Sequence, residues 1–279
     1  MRAVIAVLFA ALLASALSPA IGAAADKLPP ITEDALVAGM EAAPGLVSQA
    51  GLDCQLSDSR KIGEDEKTGS IFYELACKDA EGFIVSQPAK GSKFAMVIYT
   101  CLEAANARKV VKNGDACRLP ENADPKAGIA PLIAERHPGC RMTGARGVGH
   151  TDTSTALEVA CEGGAGYIVQ ASFPLSNAKP AVFKPCAGIQ PGMTLQCTLT
   201  DPAAADAYLA SLLAKAGRPC AVRAHRYVGF GADDDDYYEV ACAGGGGFML
   251  DVDAAGDVYP TPCAAADYIG GGCKLTPSR

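Results

Sequence analysis

The chain has no tryptophan, no Cys-x-x-Cys pair and only three histidines, His137, His150 and His225. Each shortage excludes something. Without a Cys-x-x-Cys pair, and with the cysteines 10 or more residues apart, a structural zinc site has little to form on. Three histidines scattered along the sequence leave little for a nucleophile that needs a base within hydrogen-bond reach. Basic residues are the minority, 24 against 31 acidic, and the formal net charge of -7 argues against a nucleic-acid or anionic-membrane partner. Past the first 25 residues, no apolar run approaches the ~20 residues that a spanning helix needs. These shortages predict no catalytic residue, no metal, no cofactor and no stable membrane insertion.

What is there begins with a leader. Arg2 is followed by an apolar run from Val4 to Leu17 and then by Ala23-Ala24-Ala25 before Asp26. That order of charged, apolar and small residues is that of a secretory signal peptide over residues 1–25, cleaved after Ala25. The twelve cysteines all lie beyond it, an even number in a chain expected to be periplasmic or secreted, so disulfides are expected.

Aligned with itself, the chain shows one unit of about 80 residues three times. Its opening cysteine is Cys54, Cys140 or Cys220, followed by an apolar residue two positions later (Leu56, Met142, Val222) and an arginine six later (Arg60, Arg146, Arg226). An apolar-Gly pair comes next: Ile62-Gly63, Val148-Gly149 and Val228-Gly229. The second cysteine closes the motif Glu-x-Ala-Cys, ending at Cys77, Cys161 and Cys242. Gly82-Phe83-Ile84-Val85, Gly166-Tyr167-Ile168-Val169 and Gly247-Phe248-Met249-Leu250 come after it. The third and fourth cysteines are Cys101 and Cys117, Cys186 and Cys197, Cys263 and Cys273, each fourth one followed two residues on by Leu119, Leu199 or Leu275. The units span residues 26–119, 120–199 and 200–279.

Helical spacing of apolar residues upstream of each opening cysteine predicts a helix, clearest over Ala203 to Ala216. Asp201-Pro202 and Asp124-Pro125 read as N-cap and first-turn proline. From the opening cysteine the pattern alternates with period two, and turns divide it into three strands with a fourth before the third cysteine. The fold class is therefore α+β: three tandem repeats, each a helix and a three- to four-stranded antiparallel meander with two internal disulfides. Because the start of one hairpin strand lies opposite the end of the next, Cys54 should pair with Cys77, Cys140 with Cys161 and Cys220 with Cys242. The remaining cysteines then pair across a loop, Cys101 with Cys117, Cys186 with Cys197 and Cys263 with Cys273.

Few residues carry the pattern of a reactive site. His150, Asp152 and Ser154 read as a polar turn. Glu74, Glu158 and Glu239 recur on the strand face opposite the cysteines, where a structural or solvated role is expected rather than a carboxylate pair for hydrolysis. Arg60, Arg146 and Arg226 are placed on the cysteine-bearing face, covering the core edge, with ligand contact as the alternative. Asp233 to Asp236 read as a solvated turn, with calcium binding as the alternative. Asp251, Asp253, Gly256 and Asp257 imitate a calcium loop but have Pro262 where a bidentate acid is required. The run Gly244 to Gly247 leads into a strand and lacks the helix start of a phosphate cradle.

With Tyr237-Tyr238-Glu239-Val240 on one strand and the stretch from Asp251 through Gly256 to Tyr259 near its end, the helix-plus-meander unit resembles PepSY-type domains of exported bacterial proteins. Tandem helix-plus-sheet units also resemble the exported beta-lactamase inhibitor proteins. Both resemblances imply a protein-binding or inhibitory module with an envelope or extracellular protein as partner, and neither assigns a site residue. A structural or envelope-stress protein, and a hydrolase with a site between repeats, are the alternatives.

Overall fold

The computed structural model describes residues 29–78, 80–106, 117–175, 180–189, 194–231 and 235–276. The expected signal peptide lies outside them, as do Asp233 and Asp234 of the acidic turn. The first unit runs α1 (Glu33–Ala50), β1 (Leu56–Glu64), β2 (Ile71–Cys77), β3 (Phe83–Gln87), β4 (Val97–Thr100) and a short α2 (Cys101–Asn106). The second runs α3 (Ala130–Arg136), β5 (Met142–His150), β6 (Ser154–Cys161), β7 (Gly166–Ser172) and β8 (Val182–Pro185). The third runs α4 (Pro202–Lys215), β9 (Val222–Phe230), β10 (Asp236–Cys242), β11 (Gly247–Val252) and β12 (Val258–Pro262). Each set of four strands forms its own antiparallel sheet in sequence order.

Helix ends follow local chemistry. The Thr32 hydroxyl accepts from the Ala35 amide to start α1, and the Asp201 carboxylate accepts from Ala203 at 2.7 Å to start α4. The second helix departs from expectation: a 3-10 turn at Pro120–Asn122 precedes Asp124, which only caps a turn at Lys126, another 3-10 turn follows at Ala127–Ile129, and α3 begins at Ala130. A continuous helix from Pro125 would require an amide hydrogen at position 131, and Pro131 has none, so the helix starts afresh with that proline in its first turn.

The helix of each unit covers the cysteine-bearing face of its sheet. Ala43 and Leu46 pack on Tyr73, Leu75, Cys77, Phe83 and Val85 in the first unit. Ile133 packs on Leu157, Val159 and Tyr167 in the second, and Leu209 and Leu213 on Tyr238, Val240 and Leu250 in the third. Six disulfides join Cys54–Cys77, Cys101–Cys117, Cys140–Cys161, Cys186–Cys197, Cys220–Cys242 and Cys263–Cys273, all within units and all between Cα atoms 5.2–5.8 Å apart. Cys54–Cys77, Cys140–Cys161 and Cys220–Cys242 are the pairs that hairpin register expects, and the other three are the pairs left to close across a loop.

Residues Thr32–Arg279 form one compact unit, because the repeats stack through two recurring contacts. The helical segment of one unit lies on the second hairpin turn of the unit before it: Gly128 meets the backbone of Ala80 and Glu81, and Gly164 meets Ala204 of α4. The segment after a fourth strand lies on the first strand of the unit that follows. Glu103 of α2 crosses Gly147 of β5, and Gly188 abuts Tyr227 of β9, so tightly that neither glycine has room for a Cβ.

Candidate functional site

The most regular polar feature is a buried lock. Each first strand carries two register shifts at matching places, the earlier between Leu56 and Asp58, Met142 and Gly144, and Val222 and Ala224. That bulge adds a residue and flips the alternation, so Arg60, Arg146 and Arg226 stand opposite Glu74, Glu158 and Glu239. The arginines are therefore on the glutamate face, which corrects the placement drawn from unbroken period-two counting. In every unit the arginine Nε donates to the glutamate Oε2 at 2.5 Å, and the glutamate is fully buried, not solvated.

The other carboxylate oxygen receives the loop beyond the fourth cysteine. The amides of Arg118 and Leu119 donate to Glu74 at 2.7 and 2.8 Å, those of Thr198 and Leu199 to Glu158 at 2.6 Å each, and that of Leu275 to Glu239 at 2.6 Å. Burial alone would raise the Glu239 carboxyl, but the amides of Lys274, Leu275 and Thr276 together with Arg226 hold it below the ordinary glutamate value. Each glutamate lies within 4.8 Å of the sulfurs of its unit's second disulfide. That spacing would suit a metal only if the sulfurs were thiolates, and here they are bonded to each other. The lock is scaffold: it ties the covering loop to the sheet and leaves no carboxylate oxygen for hydrolysis.

None of the histidines joins the cluster that the sequence suggested. His150 Nδ1 bonds Glu103 at 2.8 and 3.0 Å and its ring stacks on Phe173 at 4.1 Å, while Ser154 pairs with the Thr151 hydroxyl. His225 bridges Asp206 at 2.7 Å and the Ala187 carbonyl at 2.8 Å. Both therefore sit where one unit meets the next. His137 is buried against Tyr167, and burial, with Arg136 nearby, pushes its imidazole down to about 4. Neither Glu81 carboxylate oxygen has a hydrogen-bond partner of good geometry, and burial, opposed by the nearby Thr100 hydroxyl and reinforced by the Glu103 carboxylate, pushes the carboxyl up to about 8.

The surface is uneven in one place. Four aromatic side chains are exposed among the described residues, and three of them, Phe230 (67%), Tyr259 (59%) and Tyr268 (80%), line one groove on the third unit. Its volume is about 470 Å³, and Tyr237 and Asp251 form its floor. Register explains the arrangement. On the glutamate face beyond the lock, one cross-strand row reads Gly229, Tyr237, Asp251, Tyr259. The equivalent rows read Gly63, Phe72, Ser86, Val97 and Gly149, Ala156, Gln170, Val182. Only the third unit sets a carboxylate between two tyrosines. A larger cleft of about 700 Å³ between the first and second units is walled chiefly by small residues such as Ala80, Gly128 and Ala134, with Lys78, Glu121 and Asp124 among its lining but no aromatic side chain.

The sequence pattern singled out neither Phe230 nor Tyr268, and it placed Asp251 and Tyr259 only in the stretch that resembles PepSY-type domains, with Asp251 also in a failed calcium loop. The signal that could have found them was departure from the repeat, position by position. Asp236, assigned to a solvated turn, is buried instead and accepts the Tyr227 hydroxyl at 2.9 Å. No protein-family model matches the chain, and no curated protein matches it.

Six disulfides, with no helix among the described residues long and apolar enough to cross a membrane, fit a protein of an oxidising compartment.

Proposed function

We propose that the protein is a non-enzymatic, protein-binding module of the cell envelope or extracellular space, with inhibition by obstruction as one form that its binding takes. The observation that carries this reading is the gathering of Phe230, Tyr259 and Tyr268 on one groove of a unit braced by two disulfides. Aromatic side chains offer large contact areas at low entropic cost, and interfaces concentrate their binding energy in such residues. The likeness to PepSY-type domains and to beta-lactamase inhibitor proteins points the same way. The hydrolase alternative loses its proposed acids, since Glu74, Glu158 and Glu239 are fully buried and bonded to arginine and loop amides.

The test captures partners from an envelope extract with the oxidised chain from Asp26, identifies them, and measures purified pairs by surface plasmon resonance. Replacing Phe230 and Tyr268 by alanine should abolish the interaction, while Phe94→Ala, an exposed aromatic elsewhere, should leave it intact. Unchanged affinity in the double variant would refute the groove as the docking surface.

A further inference from the structure

We infer that the groove of the third unit takes a lysine or arginine side chain of the partner, its cation set against Asp251 and its stem against Tyr237 and Tyr259. The inference rests on the binding-module reading and names the chemical group that the groove selects.

Four observations converge on a cation with an apolar stem. First, the carboxylate is incompletely served: Asp251 Oδ2 accepts the Tyr237 hydroxyl at 3.1 Å, while the buried Oδ1 receives no hydrogen bond. A buried carboxylate oxygen without a donor is costly, and a cation set against the same carboxylate would offset that cost. Second, the residues lining the groove include no lysine or arginine, so no cation among the described lining residues answers Asp251. Third, the neighbourhood is acidic. Burial holds the Asp251 carboxyl above the ordinary aspartate range, the Tyr237 hydroxyl opposes this, and the carboxylates of Asp235 and Asp253 add to it. An incoming cation relieves this repulsion. Fourth, tyrosine rings flank the carboxylate in the cross-strand row, and ring faces attract ammonium and guanidinium groups while packing on methylenes.

A bare metal ion fits less well. It requires several oxygens converging within coordination distance, and Asp251 belongs to none of the carboxylate, histidine and cysteine clusters that do so among the described residues. A volume near 470 Å³ with aromatic walls suits an organic group instead. The other two sheets have Ser86 and Gln170 in place of the carboxylate, so the third unit alone should recognise the cation.

The experiment titrates the whole oxidised chain from Asp26, isotopically labelled, with N-acetyl-lysine methylamide, N-acetyl-arginine methylamide and the neutral isostere N-acetyl-norleucine methylamide, following backbone amide shifts. Cadaverine serves as a free amine. The lysine or arginine probe should shift the amides of Tyr237, Asp251 and Tyr259 saturably, and the norleucine probe should not. Asp251→Asn should weaken the cation by about tenfold or more, whereas Glu41→Gln, which removes one exposed charge on α1, should not. Equal response to norleucine and lysine, or undiminished binding by Asp251→Asn, would overturn the inference. Binding of cadaverine with no binding of either amino-acid amide would overturn the protein-borne source. Loss of partner binding in the Phe230 and Tyr268 variant without any cation effect would sink this inference and leave the docking surface standing. Cation binding with no protein partner would do the reverse.

Discussion

Glu239 and Asp251 lie on the same face of the same sheet, on neighbouring strands and two residues apart in register, and meet opposite fates. Glu239 is fully buried, with both oxygens taken by Arg226 and three loop amides, and its arrangement recurs in all three units. Asp251 lies where the covering loop gives way to the groove, keeps one oxygen without a donor, and has no counterpart in the other two units. In a repeat, what recurs holds the fold, and what departs from the pattern is free to serve function.

Breaking the recurrent side should cost most. Glu74→Gln leaves Arg60, only 4% exposed, as a buried charge without its carboxylate, and should lower stability by roughly 3 to 5 kcal/mol in a denaturant titration. Glu239→Gln should cost less, because the Arg226 side chain is 25% exposed and water can replace part of the pair. Equal and small losses in both would mean that the lock contributes nothing beyond packing.

The disulfides rank next. Replacing both Cys54 and Cys77 by alanine should cost roughly 2 to 4 kcal/mol, chiefly through the freed unfolded chain. Removing Cys263–Cys273 should cost about 0.7 kcal/mol less on chain entropy alone, since it closes 10 residues rather than 23. Paired denaturation curves check the order, and a reversed order would point to the second disulfide's place beside Glu239 as the larger contribution.

How much of this was legible beforehand follows from where the sequence signal is local. Period-two alternation and turn residues placed the strands, and the hairpin rule then put Cys54 opposite Cys77. The same counting misplaced Arg60, because a bulge at Ser57 has no signature that a period can show, and one inserted residue moves every later side chain to the other face. The recurrence of Arg and Glu was visible, but their meeting was not. The stacking of units was also hidden, since it depends on Gly147 and Gly188 admitting Glu103 and Tyr227 from far along the chain. Tyr237, Asp251 and Tyr259 were in plain view, yet only strand register brings them into one row.

A buried carboxyl away from the groove, with the Thr100 hydroxyl as its one opposing influence, gives a reference for what such a group costs. The Glu81 carboxyl has a folded value near 8 against an unfolded one near 4.5, so it weakens the fold above pH 4.5 and the penalty grows until about pH 8. Glu81→Gln should therefore stabilise the protein on the order of 2 to 3 kcal/mol at pH 7 and by almost nothing at pH 4. His137 acts at the other end: its value falls from 6.5 to about 4, so it costs stability as pH drops below 6.5, with the full penalty reached near pH 4. His137→Phe, which keeps an aromatic ring beside Tyr167, should flatten that acid limb. Melting temperatures across pH 4 to 9 test both, and an unchanged slope in either variant would show that its group does not titrate as burial requires.

The smallest effect on stability should come from Asp251 itself, and its sign separates the two carboxylates. With a folded value above the unfolded one, Asp251 weakens the fold at neutral pH, and the penalty disappears as pH falls through the unfolded value. Asparagine retains an oxygen for the Tyr237 hydroxyl and carries no charge for Asp235 and Asp253 to repel. Asp251→Asn should thus melt at or slightly above the wild-type temperature at pH 7, and the gap should close near pH 4. Glu239→Gln should move the other way under the same conditions, since its folded value is depressed and its contribution is present above the unfolded value and lost as pH falls. Opposite signs from two acids on neighbouring strands of one face would mean that Asp251 is kept at a cost to the fold, as expected of a group held for a ligand. A loss of stability in both would make Asp251 one more part of the scaffold.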